Sequence, residues 1–216
     1  MTPFRDRAAA GRELAGRLRN YAGRQDAIVL ALPRGGVPVG FEVARELGIA
    51  FDIVLVRKLG VPGREELAMG AMASSGLYFI DQWLVDRLSI TPDQIAIVVE
   101  RERREVARRE RVYRGERPPP VIRDKTVICV DDGLATGASM RVAVAALREG
   151  GPERIIVAAP VAAPQVAADL AEVADEIIIA RMPPHFRAVS LWYENFSQTT
   201  DEEVRELLAR ASIRKA

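Results

Sequence analysis

The chain has 216 residues, of which 49% are hydrophobic and 28% are charged, and its formal net charge is +1. This composition supports a sizeable core and excludes global disorder, while the balanced charge provides no whole-molecule field that would attract nucleic acid or an anionic membrane. The single cysteine, Cys129, and the single histidine exclude an intramolecular disulfide and a zinc site built from Cys and His ligands. The length suits one α/β domain spanning residues 1–216.

The sequence shows no membrane or targeting segment. No run of residues approaches the roughly 18 apolar residues that a membrane helix needs. The first residues, MTPFRDRAAAGREL, are charged and helix-like and contain no apolar signal core. We therefore expect a cytoplasmic protein without a membrane partner.

The first half of the chain predicts helices and strands separated by loops. Its predicted elements are helices over residues 5–20 and 37–47 and strands over residues 27–32, 51–56, 69–73 and 77–80. Residues 59–67 contain two glycines and a proline among charged residues, so we predict a loop there. The sequence Thr91-Pro92-Asp93-Gln94 has the capping pattern that begins a helix, which we expect to reach about residue 113.

The second half alternates regularly between strands and helices. The predicted strands cover residues 126–130, 154–161 and 176–180, and the predicted helices cover residues 138–149, 164–173 and 200–211. Such alternation is typical of a three-layer, Rossmann-like α/β fold, in which helices cover both faces of a parallel sheet. Residues 74–120 interrupt it and are predicted to form an insertion or flap. Because ligands of such sheets bind at the carboxyl ends of the strands, the candidate binding loops follow Leu32, Val56, Val130 and Val161.

The loop after Val130 carries the most informative pattern, VICVDDGLATGASM, over residues 127–140. Two carboxylates, Asp131 and Asp132, follow an apolar strand, and a loop of small residues leads into a helix. Glycines allow backbone N–H groups to converge on a phosphate, and a helix N-terminus adds a partial positive charge of roughly half a unit. Adjacent carboxylates fit beside a phosphate if they accept hydrogen bonds from sugar hydroxyls or contact a divalent metal. The pattern therefore favours a phosphorylated ribose as the ligand.

This segment resembles the phosphoribosyl-pyrophosphate signature of type I phosphoribosyltransferases, which has four hydrophobic residues, two acids and a small-residue loop with Thr-Gly. The resemblance implies an enzyme of nucleotide and nucleoside metabolism that binds 5-phosphoribosyl 1-pyrophosphate (PRPP) with Mg²⁺, transfers ribose 5-phosphate to a nitrogenous acceptor and releases pyrophosphate. Asp131 and Asp132 would then hold the ribose hydroxyls, directly or through Mg²⁺. The other residues of this loop that would bind PRPP are Gly133, Ala135, Thr136, Gly137, Ala138 and Ser139. The full chain resembles a bacterial group of these enzymes whose acceptors are poorly defined.

The glycine-rich segment LPRGGVPVG, residues 32–40, follows the first core strand. By itself it is compatible with a tight turn before a helix. Together with the Asp-Asp loop it resembles the family's pyrophosphate loop, which exposes backbone N–H groups to the diphosphate. The resemblance makes Arg34, Gly35 and Gly36 PRPP-binding residues, and the planar guanidinium of Arg34 suits phosphate oxygens.

Two cations, Arg57 and Lys58, end the second predicted strand. We predict that both act catalytically on the departing pyrophosphate, with Asp131 and Asp132 fixing the ribose; solvated surface charges are the alternative for the cations. In the family, a mobile loop follows this strand, closes over the reacting centre and excludes water. Residues 59–70, which contain three glycines, match that loop.

The acceptor site is expected in a C-terminal hood, residues 181–216, which concentrates aromatic side chains in a chain with only 6% of them. Trp192, Tyr193 and Phe196 are candidates for stacking on a base, and packing against the core is the alternative. Family members that act on 6-oxopurines carry an acid just before the Thr-Gly of the loop. Here that position is Ala135, which argues against a hypoxanthine–guanine acceptor.

A regulatory protein that senses PRPP and binds nucleic acid is the second hypothesis, because the helix after Thr91 is rich in arginine. Acidic residues interrupt the arginines at three- and four-residue spacing, which is typical of a solvated, salt-bridged face and disfavours a nucleic-acid partner. A sugar-phosphate hydrolase ranks last, since the sequence offers it no obvious nucleophile or metal cluster. A homodimer is compatible with the resemblance, and the sequence does not name the acceptor.

Overall fold

The computed structural model describes residues 2–74, 76–115 and 117–213, apart from the side chains at positions 66 and 213. Its strands are β1 (Ala27–Ala31), β2 (Ala50–Ile53), β3 (Val56–Val61), β4 (Arg64–Ala73), β5 (Tyr78–Ile80), β6 (Thr126–Val130), β7 (Arg154–Val161) and β8 (Glu176–Arg181). Its helices are α1 (Arg7–Arg17), α2 (Gly36–Leu47), α3 (Gln82–Arg87), α4 (Pro92–Arg114), α5 (Ala138–Arg148), α6 (Pro164–Ala171) and α7 (Asp201–Ile213). The strands and helices predicted for the second half of the chain are confirmed to within a residue or two.

Five parallel strands form the central sheet, in the order β2-β1-β6-β7-β8. Successive side chains of a strand point to opposite faces. Val29 and Ile128 therefore pack with α1, α2 and α7 on one face, whereas Ile28 and Val127 pack with α5 and α6 on the other. Helices cover both faces, as strands that are apolar throughout require. The predicted three-layer, Rossmann-like α/β fold is confirmed.

The strand order reverses at β1, which pairs with β2 on one side and with β6 on the other. Strands β1 and β6 run in register to their carboxyl ends, where Ala31 lies opposite Val130. The N–H of Leu32 then donates to the carbonyl of Val130 at 2.9 Å. The loops that leave these two strands therefore start side by side at the switch point of the sheet, which is where ligands of such folds bind.

A second, antiparallel sheet of three strands, in the order β3-β4-β5, interrupts the alternation. The interruption begins at Val56, earlier than the predicted residue 74, and ends with α4 at Arg114. It contains the short helix α3, which was not predicted, and the long helix α4, which begins with the predicted capping box of Thr91 and Gln94. Most buried apolar side chains of these elements form a cluster of their own, although Ala73 of β4 and Tyr113 of α4 also pack with the clusters that flank the parallel sheet.

The hairpin of β3 and β4 occupies residues 59–67, where we predicted a loop, so that prediction is wrong. Gly60 lies at an irregularity in the strand pairing, and a Cβ there would lie 2.6 Å from the carbonyl oxygen of Glu65. This glycine therefore permits two strands to approach closely at a bulge. Pro62 and Gly63 form the actual turn, in which Gly63 has a φ of 74°.

The charged face of α4 and the apolar face of α7 complete the fold. Arg103 and Arg104 both pair with Glu100 one turn earlier, as the three- and four-residue spacing predicts. On α7, Val204 and Leu208 are buried in the cluster that also includes α1 and α2. None of the helices in the described part of the chain has the length and apolar character needed to cross a bilayer.

Arg114 joins the inserted elements to the parallel sheet. Its buried side chain pairs with Asp52 of β2 at 3.1 Å and with Glu110 of α4 at 2.6 Å, and it donates to the carbonyl of Ile53. We expect Arg114→Met to lower the free energy of unfolding by about 3–5 kcal/mol in urea denaturation, because two partly buried carboxylates lose their cation. The matched variant Arg103→Met removes an exposed ion pair and should leave the transition midpoint unchanged. Equal losses in both variants would contradict this role.

Candidate active site

The loops after β1 and β6 contact each other through glycines. A Cβ atom added to Gly35 would lie 2.1 Å from Oδ2 of Asp132, and one added to Gly36 would lie 2.7 Å from the carbonyl oxygen of Val130. Both distances are far below van der Waals contact, so these positions require glycine for the loops to approach this closely. The N–H of Gly36 already donates to the carbonyl of Leu32 at 3.1 Å, which leaves Gly35 as the more available donor.

Two acidic side chains, Asp131 and Asp132, stand at the carboxyl end of β6, as the sequence predicts. The N–H of Asp132 donates to Oδ1 of Asp131 at 2.8 Å. Burial raises the pKa of both carboxyls, and the negative charge of Asp132 raises the pKa of Asp131 further. The charged forms of both carboxyls are therefore destabilised here, and a donating hydroxyl or a cation would stabilise them.

The start of α5 exposes backbone donors that the protein does not use. Within the described residues, the N–H groups of Ala135, Thr136, Gly137 and Ser139 have no hydrogen-bond acceptor. The N–H of Ala138 reaches only the hydroxyl of Thr136, at 3.4 Å. Gly137 has a φ of 67°, which glycine adopts readily, and this conformation turns successive N–H groups to one side. Converging N–H groups at a helix N-terminus form a cradle for an anion.

Backbone hydrogen bonds hold this cradle of N–H groups, residues 135–139, in place. The N–H of Leu134 donates to the carbonyl of Val161 at 2.9 Å, and its carbonyl accepts from Ala163 at 3.2 Å. On the opposite side, a Cβ at Gly133 would lie 2.6 Å from Cγ1 of Val189, so Gly133 allows the C-terminal segment to pack against the loop. Gly133 is therefore a packing position behind the cradle.

Arg7, which was not predicted as a site residue, contacts the acid pair directly. Its Nε and Nη2 lie 2.9 and 2.8 Å from Oδ2 of Asp132, and its Nη1 donates to the carbonyl of Ser197 at 2.7 Å. The guanidinium carbon lies 4.0 Å from the ring centroid of Phe196. Arg7 is separated from Asp132 by 125 positions, so no local pattern could reveal the contact.

The three aromatic residues proposed for the acceptor site belong to one cluster, of which Tyr193 contacts Asp132 directly. Tyr193 is buried, with its ring centroid 5.5 Å from that of Phe4 and 5.1 Å from that of Phe196. Its hydroxyl donates to the backbone carbonyl of Asp132 at 2.5 Å. Trp192 and Phe196 are partly buried against the same cluster. For Tyr193 these contacts favour the alternative interpretation, packing against the core, over stacking on a base.

The two cations predicted for catalysis point to opposite faces of β3. The core strand β2 ends at Ile53, so Arg57 and Lys58 do not end it, and that placement was wrong. Arg57 turns towards α4, where its Nη2 lies 2.7 Å from Oε2 of the buried Glu102. Lys58 shares the opposite face with Val56, which packs against the cluster that includes α5. Lys58 is exposed and has no ion-pair partner within the described residues.

Arg34 points away from the acid pair. Its Nη1 lies 3.6 Å from Oδ1 of Asp201, at the start of α7. The side chain lines a cavity of about 400 Å³ that is also lined by Arg108 and Arg109 of α4. The peptide bond between Pro33 and Arg34 is cis.

Residues 4–180 match the family model of the phosphoribosyl transferase domain, and the match includes both loops at the switch point. This chain belongs to the phosphoribosyl transferase domain family. The membership confirms the family that the Asp-Asp loop indicated.

Relatives and a solved structure agree with this membership. Two proteins of Mycobacterium tuberculosis, from strains CDC 1551 and H37Rv, are named provisionally as phosphoribosyl transferases and are 38% identical to this domain over 211 residues. The alignment covers 98% of this chain and 47% of theirs, so the chain spans about half the length of the curated relatives it matches. The crystal structure of TT1426 from Thermus thermophilus is 39% identical, covers 97% of this chain and 99% of its own, and superimposes with a TM-score of 0.86.

The contact between Gly35 and Asp132 gives a first test of the site's geometry. Gly35→Ala would place a methyl group 2.1 Å from Oδ2 of Asp132 and should lower the free energy of unfolding by about 1–3 kcal/mol, as overpacking does. The same change should cost less in an Asp132→Ala background, where the obstructing carboxylate is absent. Gly16→Ala is the matched control, because a Cβ there meets no atom within 4 Å. Urea denaturation of the unmodified protein, Gly35→Ala, Asp132→Ala, the double variant and the control measures these costs, and equal costs of Gly35→Ala in both backgrounds would refute the contact.

Asp131 should make the stability of the protein depend on pH. Its pKa is raised from 3.8, so above that pH the folded chain binds more protons than the unfolded chain, and stability falls as pH rises. Asp131→Asn removes this contribution and should gain stability relative to the unmodified protein as pH increases. Urea denaturation at mildly acidic and mildly alkaline pH, without divalent cations or phosphate, measures the difference. Parallel pH dependence in the two proteins would contradict the prediction.

Proposed function

We propose that this site binds PRPP together with Mg²⁺, transfers ribose 5-phosphate to a nitrogenous acceptor and releases pyrophosphate. The observation that carries the proposal is the direct contact between the Asp-Asp loop and the glycine loop at the carboxyl ends of β1 and β6. This contact brings acceptors for sugar hydroxyls and donors for phosphate into one cleft. Membership of the phosphoribosyl transferase domain family supports the same conclusion.

Each part of PRPP has a chemically matched surface in this cleft. The 5-phosphate binds the free N–H groups of residues 135–139 at the start of α5. The ribose hydroxyls donate to Asp131 and Asp132, and hydrogen bonds to charged groups contribute about 1.5–3 kcal/mol each. The diphosphate binds the backbone N–H groups of Arg34 and Gly35, which have no acceptor within the described residues.

The transfer requires the bond between C1 of the ribose and the pyrophosphate oxygen to break while a nitrogen lone pair attacks C1. Positive charge develops on the ribose ring, and negative charge develops on the leaving pyrophosphate. Lys58 stabilises the leaving charge, together with the backbone N–H groups. The two carboxylates hold the ribose in one orientation, which lowers the entropic cost of the attack. The pairing of Arg57 with Glu102 favours a role in holding β3 against α4 over the catalytic role predicted for it.

The acid pair also suits Mg²⁺ that arrives with the substrate. No group of three or more potential metal ligands occurs in the part of the chain that the structure describes. Mg²⁺ is usually held by one or two carboxylates plus substrate phosphates and water, and this matches what Asp131 and Asp132 offer. When bound, the ion neutralises charge on the diphosphate, while the two aspartates hold its water ligands or the ribose hydroxyls.

The acceptor is proposed to be a nitrogenous base or small amine that approaches from the C-terminal segment. Trp192 and Phe196, which are only partly buried, remain the aromatic candidates for stacking on it. Family members that act on 6-oxopurines carry an acid just before the Thr-Gly of the loop, and here that residue is the uncharged Ala135. This difference disfavours a hypoxanthine–guanine acceptor. The homodimer stays a prediction that a measurement of molar mass in solution would test.

A PRPP-sensing regulator that binds nucleic acid is less well supported. The arginines of α4 that would contact phosphates are paired with acids of the same helix: Arg103 and Arg104 with Glu100, and Arg108 and Arg109 with Glu105. Paired arginines release fewer counterions and bind phosphates less strongly. Binding of RNA or DNA that weakens steeply with salt and changes on addition of PRPP would reverse this preference.

Calorimetry with PRPP and Mg²⁺ tests the proposed site. The double variant Asp131→Asn with Asp132→Asn should lose PRPP binding by at least about 100-fold, because two charged acceptors are removed. The matched control is Glu202→Gln with Glu203→Gln, an adjacent acid pair in the exposed first turn of α7. Far-UV circular dichroism should show that both proteins remain folded.

A screen for pyrophosphate release, with nucleobases and small amines as acceptors, then tests the transfer itself. Turnover with any acceptor that is lost in the Asp131 and Asp132 double variant supports an enzyme. PRPP binding without turnover in the screen would favour the regulator. Equal PRPP affinity in the double variant and the control, or no binding by the unmodified protein, would refute the proposed site.

A further inference from the structure

Two segments that are far apart in the sequence meet beside Asp132. Residues 4–7 and 192–197, here named the terminal clasp, are joined by backbone hydrogen bonds. The N–H of Phe4 donates to the carbonyl of Trp192 at 2.8 Å, and the N–H of Glu194 donates back to the carbonyl of Phe4 at 2.8 Å. The clasp places Arg7, in the first turn of α1, in contact with the carboxylate of Asp132.

The guanidinium of Arg7 makes its ion pair, hydrogen bonds and ring contact with other residues of the protein. Two guanidinium nitrogens contact Oδ2 of Asp132, the third donates to the carbonyl of Ser197, and one face of the guanidinium covers the ring of Phe196. The side chain is only 11% exposed. Because all three guanidinium nitrogens already contact protein acceptors, the side chain does not bind a ligand directly. It acts on the ligand through Asp132.

The contacts of Arg7 make the two carboxylate oxygens of Asp132 unequal. Oδ2 receives both guanidinium nitrogens and lies against Gly35, whereas no donor within the described residues contacts Oδ1. The backbone of Asp132 is fixed as well, because the hydroxyl of Tyr193 donates to its carbonyl. The side chain therefore has one orientation, with one oxygen held by the protein and the other left for a ligand.

Arg7 also supplies the positive charge next to the acid pair. The groups that face Asp132 are Arg7 from α1, Asp131 from the same loop and Tyr193 from the C-terminal segment. The glycine loop adds no cation there, because the guanidinium of Arg34 pairs with Asp201. Without Arg7, two carboxylates would meet a polyanionic ligand with no cation of the described protein in contact with them.

We propose that Arg7 is a positioning residue for the sugar site: it holds Oδ2 of Asp132 so that Oδ1 accepts a ribose hydroxyl, and it offsets one negative charge of the acid pair. This inference rests on the proposed function. It adds a specific requirement, which is that the sugar-binding geometry depends on the terminal clasp. Inorganic phosphate, which reaches the cradle of residues 135–139 without using Asp132, should not depend on Arg7 in the same way.

Binding of two ligands to Arg7→Gln tests the proposal. In calorimetry with Mg²⁺, the affinity for PRPP should fall about 10- to 100-fold, the range expected when a hydrogen bond to a charged group is lost. The affinity for inorganic phosphate should stay within about 2-fold of the unmodified protein, the size of change typical of surface substitutions. If turnover is found, the KM for PRPP should rise far more than kcat falls. Arg5→Gln is the matched control, because the Arg5 side chain is 72% exposed and, within the described residues, pairs with Asp6 alone.

Arg7→Lys provides a second variant that keeps a cation in place. A lysine cannot contact Asp132 and the carbonyl of Ser197 through a planar fork, so its PRPP affinity should lie between that of the unmodified protein and that of Arg7→Gln. If Arg7→Gln does not fold, the same comparison of PRPP with phosphate is made on Arg7→Lys. A loss confined to PRPP supports positioning in either variant.

The outcomes separate this inference from the proposed function. If the unmodified protein binds phosphate but not PRPP, the proposed function fails and this inference fails with it. If the unmodified protein binds PRPP and the Arg7 variants bind it equally well, only the positioning role is overturned. Equal losses of PRPP and phosphate affinity would also overturn it, because they would indicate a general distortion of the loop.

Discussion

The contact between the backbone at Gly35 and the carboxylate of Asp132 depends on two strands that end at the same level. Because β1 and β6 are neighbours in register, their loops leave the sheet side by side. The glycines then let one loop lie against the other without intervening side chains. The acid pair therefore lies against the glycine loop, while backbone bonds to β7 place the cradle and the terminal clasp places Arg7 beside them. A side chain at position 35 would force the two loops apart.

The same arrangement is unfavourable for the folded state. Burial raises the pKa of both adjacent carboxyls, which means that their charged forms are destabilised where they lie. Arg7 offsets part of this cost from the side of the terminal clasp. Functional sites commonly hold charge under such strain, because a ligand that donates hydrogen bonds or brings a cation then binds more favourably. The acid pair is therefore better suited to a bound ligand than to an empty cleft.

Local patterns were sufficient to predict the loop after β6 and most of the alternating elements. The acids, the glycine-rich cradle and the start of α5 form one continuous segment, so their chemistry is visible in the order of the residues. The segment of residues 59–67 misled the prediction, because glycine and proline are as frequent at a bulge and a tight hairpin turn as in a loop. For the same reason Arg57 and Lys58 were placed at a strand end, and their separation onto two faces was missed.

Arg7 could not be predicted from the sequence at all. Its partner lies 125 positions away, and the contact exists only because the first and last parts of the described chain pair with each other. A helical arginine with an aspartate as its neighbour resembles any solvated residue. Tyr193 was noticed for its aromatic ring, but its contacts with Phe4 and Asp132 became apparent only from the fold. The sequence therefore indicated the candidate binding residues and missed what holds them in place.

The separate apolar cluster of β3, β4, α3 and α4 has a consequence for how this protein tolerates sequence change. Its buried members include Leu59, Met72 and Val99, and none of the buried members packs in the two clusters that flank the parallel sheet. Substitutions in groups that share no contacts combine additively, without epistasis. Changes at the buried members of this cluster should therefore add to changes in the core of the parallel sheet, whereas changes at Ala73 and Tyr113, which pack against that core, should couple with them.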